Sequence, residues 1–179
     1  MKIKKRRDTD DYKRRGEWVE LKFMAEAAER NIPSSKPYGE SENFDVVIGR
    51  PGKFVGVQVK STSARQRNGY SCDLTTRRIH RAYAVGAFDF LAAYVIPDNA
   101  WYIIPANVIH GQGSVLLYPN SPNSANTKYE RYREAWNLLQ EAVGVKEEPS
   151  LPAEESAPPN RMEARMMGAF NFVRKHWER

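Results

Sequence analysis

The sequence is poor in cysteine and histidine and has no long apolar run. Its 179 residues include one cysteine, Cys72, so no internal disulfide can form, and the three histidines do not have the spacing of a zinc site. The longest apolar run, residues 90–97, is far shorter than the roughly 20 residues that span a bilayer. Acidic residues at 8, 10 and 11 interrupt the place of a secretory signal's apolar segment. We therefore expect a cytoplasmic protein with a reduced thiol and no membrane partner.

The charge balance favours a polyanionic partner and a single folded domain. The sequence has 28 basic against 22 acidic side chains, a formal net charge of +6. Its length suits one domain, which we place at residues 16–145. Residues 1–15 are predicted to form a flexible basic arm, and the proline- and glutamate-rich residues 146–160 a disordered linker. Apolar side chains recur at helical spacing in residues 161–179, which predicts a C-terminal amphipathic helix.

The apolar pattern of the domain predicts an α/β fold, with a mixed sheet flanked by helices. The first helix is expected from Glu17 to Arg30, with these side chains on its buried face: Trp18, Leu21, Met24, Ala25 and Ala28. Strands are predicted at residues 44–49, 54–60, 70–74, 90–96, 101–104 and 114–118, and further helices at 76–85 and 128–143. The first two strands form a hairpin around a four-residue turn, and those at 90–96 and 101–104 form a second hairpin.

The first hairpin gathers polar side chains on one face of a valine-rich strand. Pairing Gly49 with Phe54 places Asp45 opposite Gln58. Side chains alternate along a strand, so Lys60 lies on the same face as Gln58, and valines occupy the other face. Burying such a group is costly unless its members are paired or functional. The pattern therefore indicates either a functional site or an amphipathic strand with Lys60 in solvent.

These residues resemble motifs of the PD-(D/E)XK endonuclease superfamily, in a small bacterial branch near the intron homing endonucleases and the Holliday junction resolvases. Residues 16–20 (Gly-Glu-Trp-Val-Glu) are similar to the first-helix motif, and Asp45 to the motif aspartate. Residues 57–61 (Val-Gln-Val-Lys-Ser) are similar to the E-x-K strand, with Gln in place of Glu, and residues 36–41 are similar to the same branch. The resemblance covers residues 14–118 and implies a restriction-endonuclease-like fold.

The resemblance implies a DNA endonuclease that depends on Mg²⁺ or Mn²⁺ and hydrolyses phosphodiester bonds. The implied catalytic residues are Glu20, Asp45, Gln58 and Lys60, and the implied metal ligands are Glu20, Asp45, Gln58 and the carbonyl of Val59. Such oxygen ligands suit a hard divalent cation, and Lys60 would orient the attacking water. Glu17 competes with Glu20 because its helical angle is nearer the apolar face, whereas the spacing from Gly16 favours Glu20.

Basic residues beyond Lys60 and in the arm are the candidate nucleic-acid contacts. They are Ser61, Arg65, Arg67, Arg77, Arg78 and Arg81, together with Lys5, Arg6 and Arg7. The expected partner is DNA, and we expect a homo-oligomer because a duplex break needs two active sites. The alternative is a noncatalytic nucleic-acid-binding module that retains the nuclease fold, since Gln58 is uncharged. An interaction protein acting through the C-terminal helix would leave the Asp45, Gln58 and Lys60 group unexplained.

Overall fold

The computed structural model describes residues 4–39, 42–75, 82–120 and 127–144, with the side chains of the first helix described from residue 11 onward. The chain divides into two units, Met1–Lys146 and Glu147–Arg179. The second unit lies outside the described residues, as do the predicted linker and the predicted C-terminal helix. Within the described ranges, no helix combines the length and the apolar character that crossing a bilayer would require.

The first unit contains three α-helices and eight strands. In chain order they are α1 (Lys4–Glu29), β1 (Ser34–Ser35), β2 (Val46–Arg50), β3 (Lys53–Thr62), β4 (Arg65–Gln66), β5 (Gly69–Asp73), β6 (Phe90–Val95), β7 (Ala100–Pro105), α2 (Ala106–Ile109), β8 (Ser114–Leu117) and α3 (Asn137–Val143). A five-stranded sheet has the order β1-β2-β3-β6-β7, and a three-stranded sheet has the order β4-β5-β8. The β3–β6 pair is parallel and the other pairs are antiparallel, which confirms the mixed sheet.

Both predicted hairpins are present, and the first has the predicted register. Gly49 pairs with Phe54, although the strands continue by one further pair, so the turn is two residues long rather than four. In the second hairpin Tyr94 pairs with Trp101. The separate three-stranded sheet was not predicted; β8 joins β5 rather than the larger sheet.

The five-stranded sheet is covered on both faces. One face packs Val57 and Val59 of β3 against α1 and α3, where Phe23 contacts Trp101 and Trp136 in an aromatic cluster. The opposite face carries a second apolar cluster that includes side chains of β6, β7 and the smaller sheet. Because a strand buried on both sides must place its polar groups in contact with protein, Gln58 and Lys60 do not lie on an open sheet surface.

The first helix differs from the prediction in its start and in its buried face. It begins at Lys4 rather than Glu17, so most of the predicted flexible arm is helical. Lysine and arginine favour helices, and a polar segment can therefore extend a helix without showing apolar periodicity. The buried side chains are Val19, Phe23 and Ala27, whereas Trp18 and Leu21, predicted to face inward, are exposed.

The two later helix predictions were wrong in part. The segment predicted as a helix at 128–143 contains a 3-10 turn at Glu130–Tyr132 and then α3, because Glu134 takes a left-handed conformation (φ 49°) and its backbone N–H donates to Trp101 O at 2.9 Å. That break lets the chain pair with the outer edge of β7. Of the helix predicted at 76–85, residues 76–81 lie outside the described ranges, and Ala82 forms a bridge with Thr75 instead of a helical turn.

Candidate active site

Asp45 lies where β2 separates from β3, and its carboxylate continues the pairing of β3. Its backbone N–H donates to Val57 O at 3.0 Å, as in a regular ladder. Its Oδ2 accepts a hydrogen bond from the Val59 N–H at 2.9 Å and another from Gln58 Nε2. The carboxylate therefore takes the place of a backbone acceptor beyond the first residue of β2. This fixes its position relative to β3.

Gln58 is buried, with only 6% of its surface exposed, and its amide nitrogen faces Asp45. The same nitrogen also donates to Val59 O at 3.4 Å. In a strand, the N–H and C=O of one residue point to the same neighbour, so the Val59 carbonyl lies on the side of Asp45. Three oxygen-bearing groups thus meet at the end of β2: the Asp45 carboxylate, the Gln58 amide and the Val59 carbonyl.

Lys60 lies two residues along β3 and is half-buried. Its Nζ donates to Thr75 O at 3.4 Å and lies 5.4 Å from the centre of the Tyr83 ring. Both contacts come from the opposite side of the sheet to α1, where Tyr83 packs against the second apolar cluster. Lys60 is therefore held beside the Asp45 and Gln58 group rather than free in solvent.

The structure places Glu20 in an ion pair with Lys36, a residue that the sequence prediction did not include. Lys36 Nζ lies 2.6 Å from Glu20 Oε2, with the two side chains 46% and 15% exposed. The hydrogen bond to Glu20 raises the pKa of Lys36 above its ordinary value, and the negative charges of Glu20, Asp45 and Glu17 raise it further. Lys36 is therefore charged and electrostatically coupled to both predicted carboxylates, while Glu17 is exposed.

Lys36 was missed because the two-residue strand before it has no strand signal in its Ser-Ser sequence. Ser35 pairs with Val47, which places Lys36 beside the beginning of β2. The similarity of residues 36–41 to the bacterial branch was the signal that could have found it, but that signal assigned no role to the lysine.

The donor set fits a hard divalent cation. Asp45 and Glu20 supply carboxylates, and Gln58 and Val59 supply neutral carbonyl oxygens, which is the ligand chemistry of Mg²⁺ and Mn²⁺. In the part of the chain that the structure describes, no group of three or more His, Cys, Asp and Glu side chains could hold a metal. A site here must therefore combine its carboxylates with the amide and the backbone. An amide nitrogen cannot bind a metal, so the Gln58 hydrogen bond to Asp45 and ligation by Gln58 exclude each other.

The candidate nucleic-acid residues divide between described and undescribed segments. Arg65 and Arg67 are exposed on the β4–β5 hairpin, where Arg65 lies 5.8 Å above the Tyr70 ring and Arg67 adopts a left-handed turn conformation (φ 55°). Ser61 is half-buried on β3. Arg77, Arg78 and Arg81 lie outside the described residues, and Lys5, Arg6 and Arg7 belong to the part of α1 whose side chains are not described. The hairpin that follows β3 therefore presents basic side chains to solvent.

Cys72 can be excluded as a nucleophile. It is fully buried in β5, and burial raises the pKa of its thiol to about 12. The thiolate is the nucleophilic form of cysteine, so at neutral pH this residue behaves as a small apolar side chain.

The fold and the residues on β2, β3 and α1 define a restriction-endonuclease-like α/β protein. A family model described as PD-(D/E)XK endonuclease matches residues 10–139, and the chain belongs to that family. Among solved structures, the chain is similar to the bacterial homing endonuclease I-Ssp6803I, with 27% sequence identity and a TM-score of 0.60. That similarity covers 72% of this chain and 91% of the other. No curated protein sequence is a significant match.

Proposed function

We propose that the protein is a DNA endonuclease that requires Mg²⁺ or Mn²⁺ and hydrolyses phosphodiester bonds at the Asp45 site. The observation that carries the proposal is the meeting of Asp45, Gln58 and the Val59 carbonyl at the end of β2, with Lys60 on the next outward position of β3. Membership of an endonuclease family supports the same reaction class.

Each residue has a role that follows from its chemistry. A bound divalent cation supplies charge neutralisation and lowers the pKa of water. Asp45, Gln58, Val59 and Glu20 would hold that cation through oxygen atoms. Lys60, restrained by Thr75 and Tyr83, would orient the attacking water and stabilise negative charge that develops on the phosphate.

The basic hairpin extends the site towards a longer DNA contact. Arg65 and Arg67 follow β3 directly, so they lie downstream of Lys60 along the chain and are exposed to a bound duplex. The basic residues at the start of α1 would add contacts that do not depend on sequence. The solved relative is a homing endonuclease by its title, and a homing role is the biological setting we favour over restriction-like defence or junction processing. Cutting both strands of a duplex would then need two copies of the chain.

The test is cleavage by the full chain of supercoiled, linear, single-stranded and four-way branched DNA. We expect cleavage with Mg²⁺ or Mn²⁺ and none in EDTA. Lys60→Ala serves as the inactive variant, and Lys128→Ala, an exposed lysine on another part of the surface, serves as its matched control. Cleavage of any of these substrates by Lys60→Ala at the wild-type rate would contradict the site assignment.

A noncatalytic nucleic-acid-binding module is the second candidate, and the orientation of Gln58 favours it. The amide nitrogen neutralises Asp45 through a hydrogen bond, so the site is satisfied without a cation. In that case the protein would bind DNA equally well with EDTA and with Mg²⁺, and no substrate in the panel would be cut.

A further inference from the structure

Lys36 provides a positive charge beside the proposed metal site, on the side where Glu20 lies. Its ion pair with Glu20 is the shortest one described in the molecule, at 2.6 Å. Glu20 is mostly buried in this pair, whereas Lys36 keeps nearly half of its surface exposed. An ammonium group has three N–H donors, so pairing with Glu20 leaves Lys36 able to donate to a second acceptor.

We propose that Lys36 takes the place of a second metal ion, so that the site binds one divalent cation per chain, at Asp45. This inference rests on the proposed function. Lys36 pairs with Glu20, the carboxylate that a second cation would need, and directs its remaining donors towards a phosphate oxygen of the substrate. It is a residue of the site that the sequence motifs do not assign.

The supply of ligands supports a single cation. Two divalent ions side by side need several bridging carboxylates, and the described residues offer no cluster of three acidic, histidine or cysteine side chains. Of the two carboxylates available, Asp45 accepts hydrogen bonds from β3 and Glu20 is engaged by Lys36. Because Gln58 contributes no charge, a second ion would add two positive charges without a carboxylate of its own.

The charge balance leads to the same conclusion. Glu20 and Asp45 carry two negative charges, and Lys36 and Lys60 carry two positive charges, so the metal-free group is close to neutral. One divalent cation then gives a net charge of about +2, which suits a phosphodiester that gains negative charge in its transition state. Two cations beside two lysines would repel each other strongly at this separation.

The experiment counts bound Mn²⁺ on the full chain by electron paramagnetic resonance and by calorimetric titration. We expect one Mn²⁺ per chain for the wild type. Lys36→Met frees Glu20 and should raise the count to two. The matched control is Lys22→Met, which breaks a comparable ion pair with Glu26 (3.0 Å) elsewhere on the same helix and should leave the count at one. Lys36→Arg keeps the charge and should also bind one ion.

Kinetics give a second measurement that a purely structural role would not affect. With saturating Mg²⁺, Lys36→Met should lose about tenfold or more in kcat with little change in KM for DNA, and Lys36→Arg should recover part of it. Two Mn²⁺ ions on the wild type, or one on Lys36→Met with unchanged affinity, would overturn the proposal and leave the nuclease assignment intact. A wild type that binds no Mn²⁺ and cuts no DNA would overturn the proposed function and this inference together.

Discussion

Replacing Gln58 with Glu tests whether the buried amide keeps Asp45 stable when no cation is bound. In the structure the Gln58 amide nitrogen donates to Asp45 Oδ2, and Gln58 is only 6% exposed. Gln58→Glu has the same shape but turns that hydrogen bond into a contact between two carboxylates. Two such charges about 4 Å apart repel by about 4 kcal/mol at an effective dielectric constant of 20. Uptake of a proton by the pair reduces this cost, so we expect a loss of about 2–4 kcal/mol in EDTA at neutral pH.

The loss should appear as a fall in the thermal midpoint, and a divalent cation should reverse it. At about 3 °C per kcal/mol for a domain of this size, the midpoint in EDTA should fall by roughly 6–12 °C. A cation placed between the carboxylates stabilises the folded state by about 2.7 kcal/mol when its concentration is 100 times its Kd. The rise in midpoint caused by Mg²⁺ should therefore be larger for Gln58→Glu than for the wild type, and half-maximal cleavage should need less metal.

The matched control is Gln112→Glu. Gln112 donates to Val108 O at 3.2 Å and accepts from the Tyr129 hydroxyl at 2.6 Å, with no carboxylate among these partners. Its midpoint should change equally in EDTA and in Mg²⁺. If Gln58→Glu is as stable as the wild type in EDTA, or if its metal titration superimposes on the wild-type curve, then Gln58 is not at the metal and the reasoning fails.

Three further variants test the other parts of the site. Lys60→Ala should lower the cleavage rate by about 10²–10³-fold while Mn²⁺ binding and the thermal midpoint stay nearly unchanged; a rate close to wild type would remove Lys60 from the mechanism. Asp45→Ala should abolish Mn²⁺ binding and also cost about 1–3 kcal/mol in a urea titration, because the Val59 N–H and the Gln58 amide lose their acceptor; retained metal binding would contradict its role as the main ligand. Deleting residues 1–13 should weaken binding equally for all DNA sequences, and the slope of log affinity against log salt, measured by fluorescence anisotropy, should become shallower by about 0.9 for each of about two to four lost contacts. An unchanged slope would show that these residues do not contact DNA.

The register of the first hairpin and the Asp45 site could be predicted because both depend on local sequence. A Pro-Gly turn between two β-branched runs fixes which residues face each other, and alternation then places Gln58 and Lys60 together. The parallel partner of β3 could not be predicted in the same way. Leu91 and Ala93 of β6 lie more than 30 residues from Gln58 and Lys60 along the chain, and their pairing buries that face.

The face of α1 and the role of Lys36 depend on tertiary contacts. Two apolar stripes compete along α1, and the sequence pattern favoured the one with Trp18 and Leu21. The sheet selects the stripe with Val19 and Phe23, because Phe23 fits between Trp101 and Trp136. That rotation directs Glu20 towards Lys36, an ion pair between residues 16 positions apart that no helical or strand period predicts.

Both outer edges of the five-stranded sheet are closed to strand addition. On one side, β1 has only two residues and is flanked by Pro33 and Pro37, which lack the N–H that a further strand would need. On the other side, Glu134 binds the backbone of β7 twice: its N–H donates to Trp101 O, and its Oε1 accepts from the Trp101 N–H at 2.7 Å. Copies of the chain therefore cannot assemble by joining their sheets edge to edge. A duplex-cutting assembly would have to use side-chain surfaces, and its two cutting centres could then be set at a spacing that the sheet does not dictate.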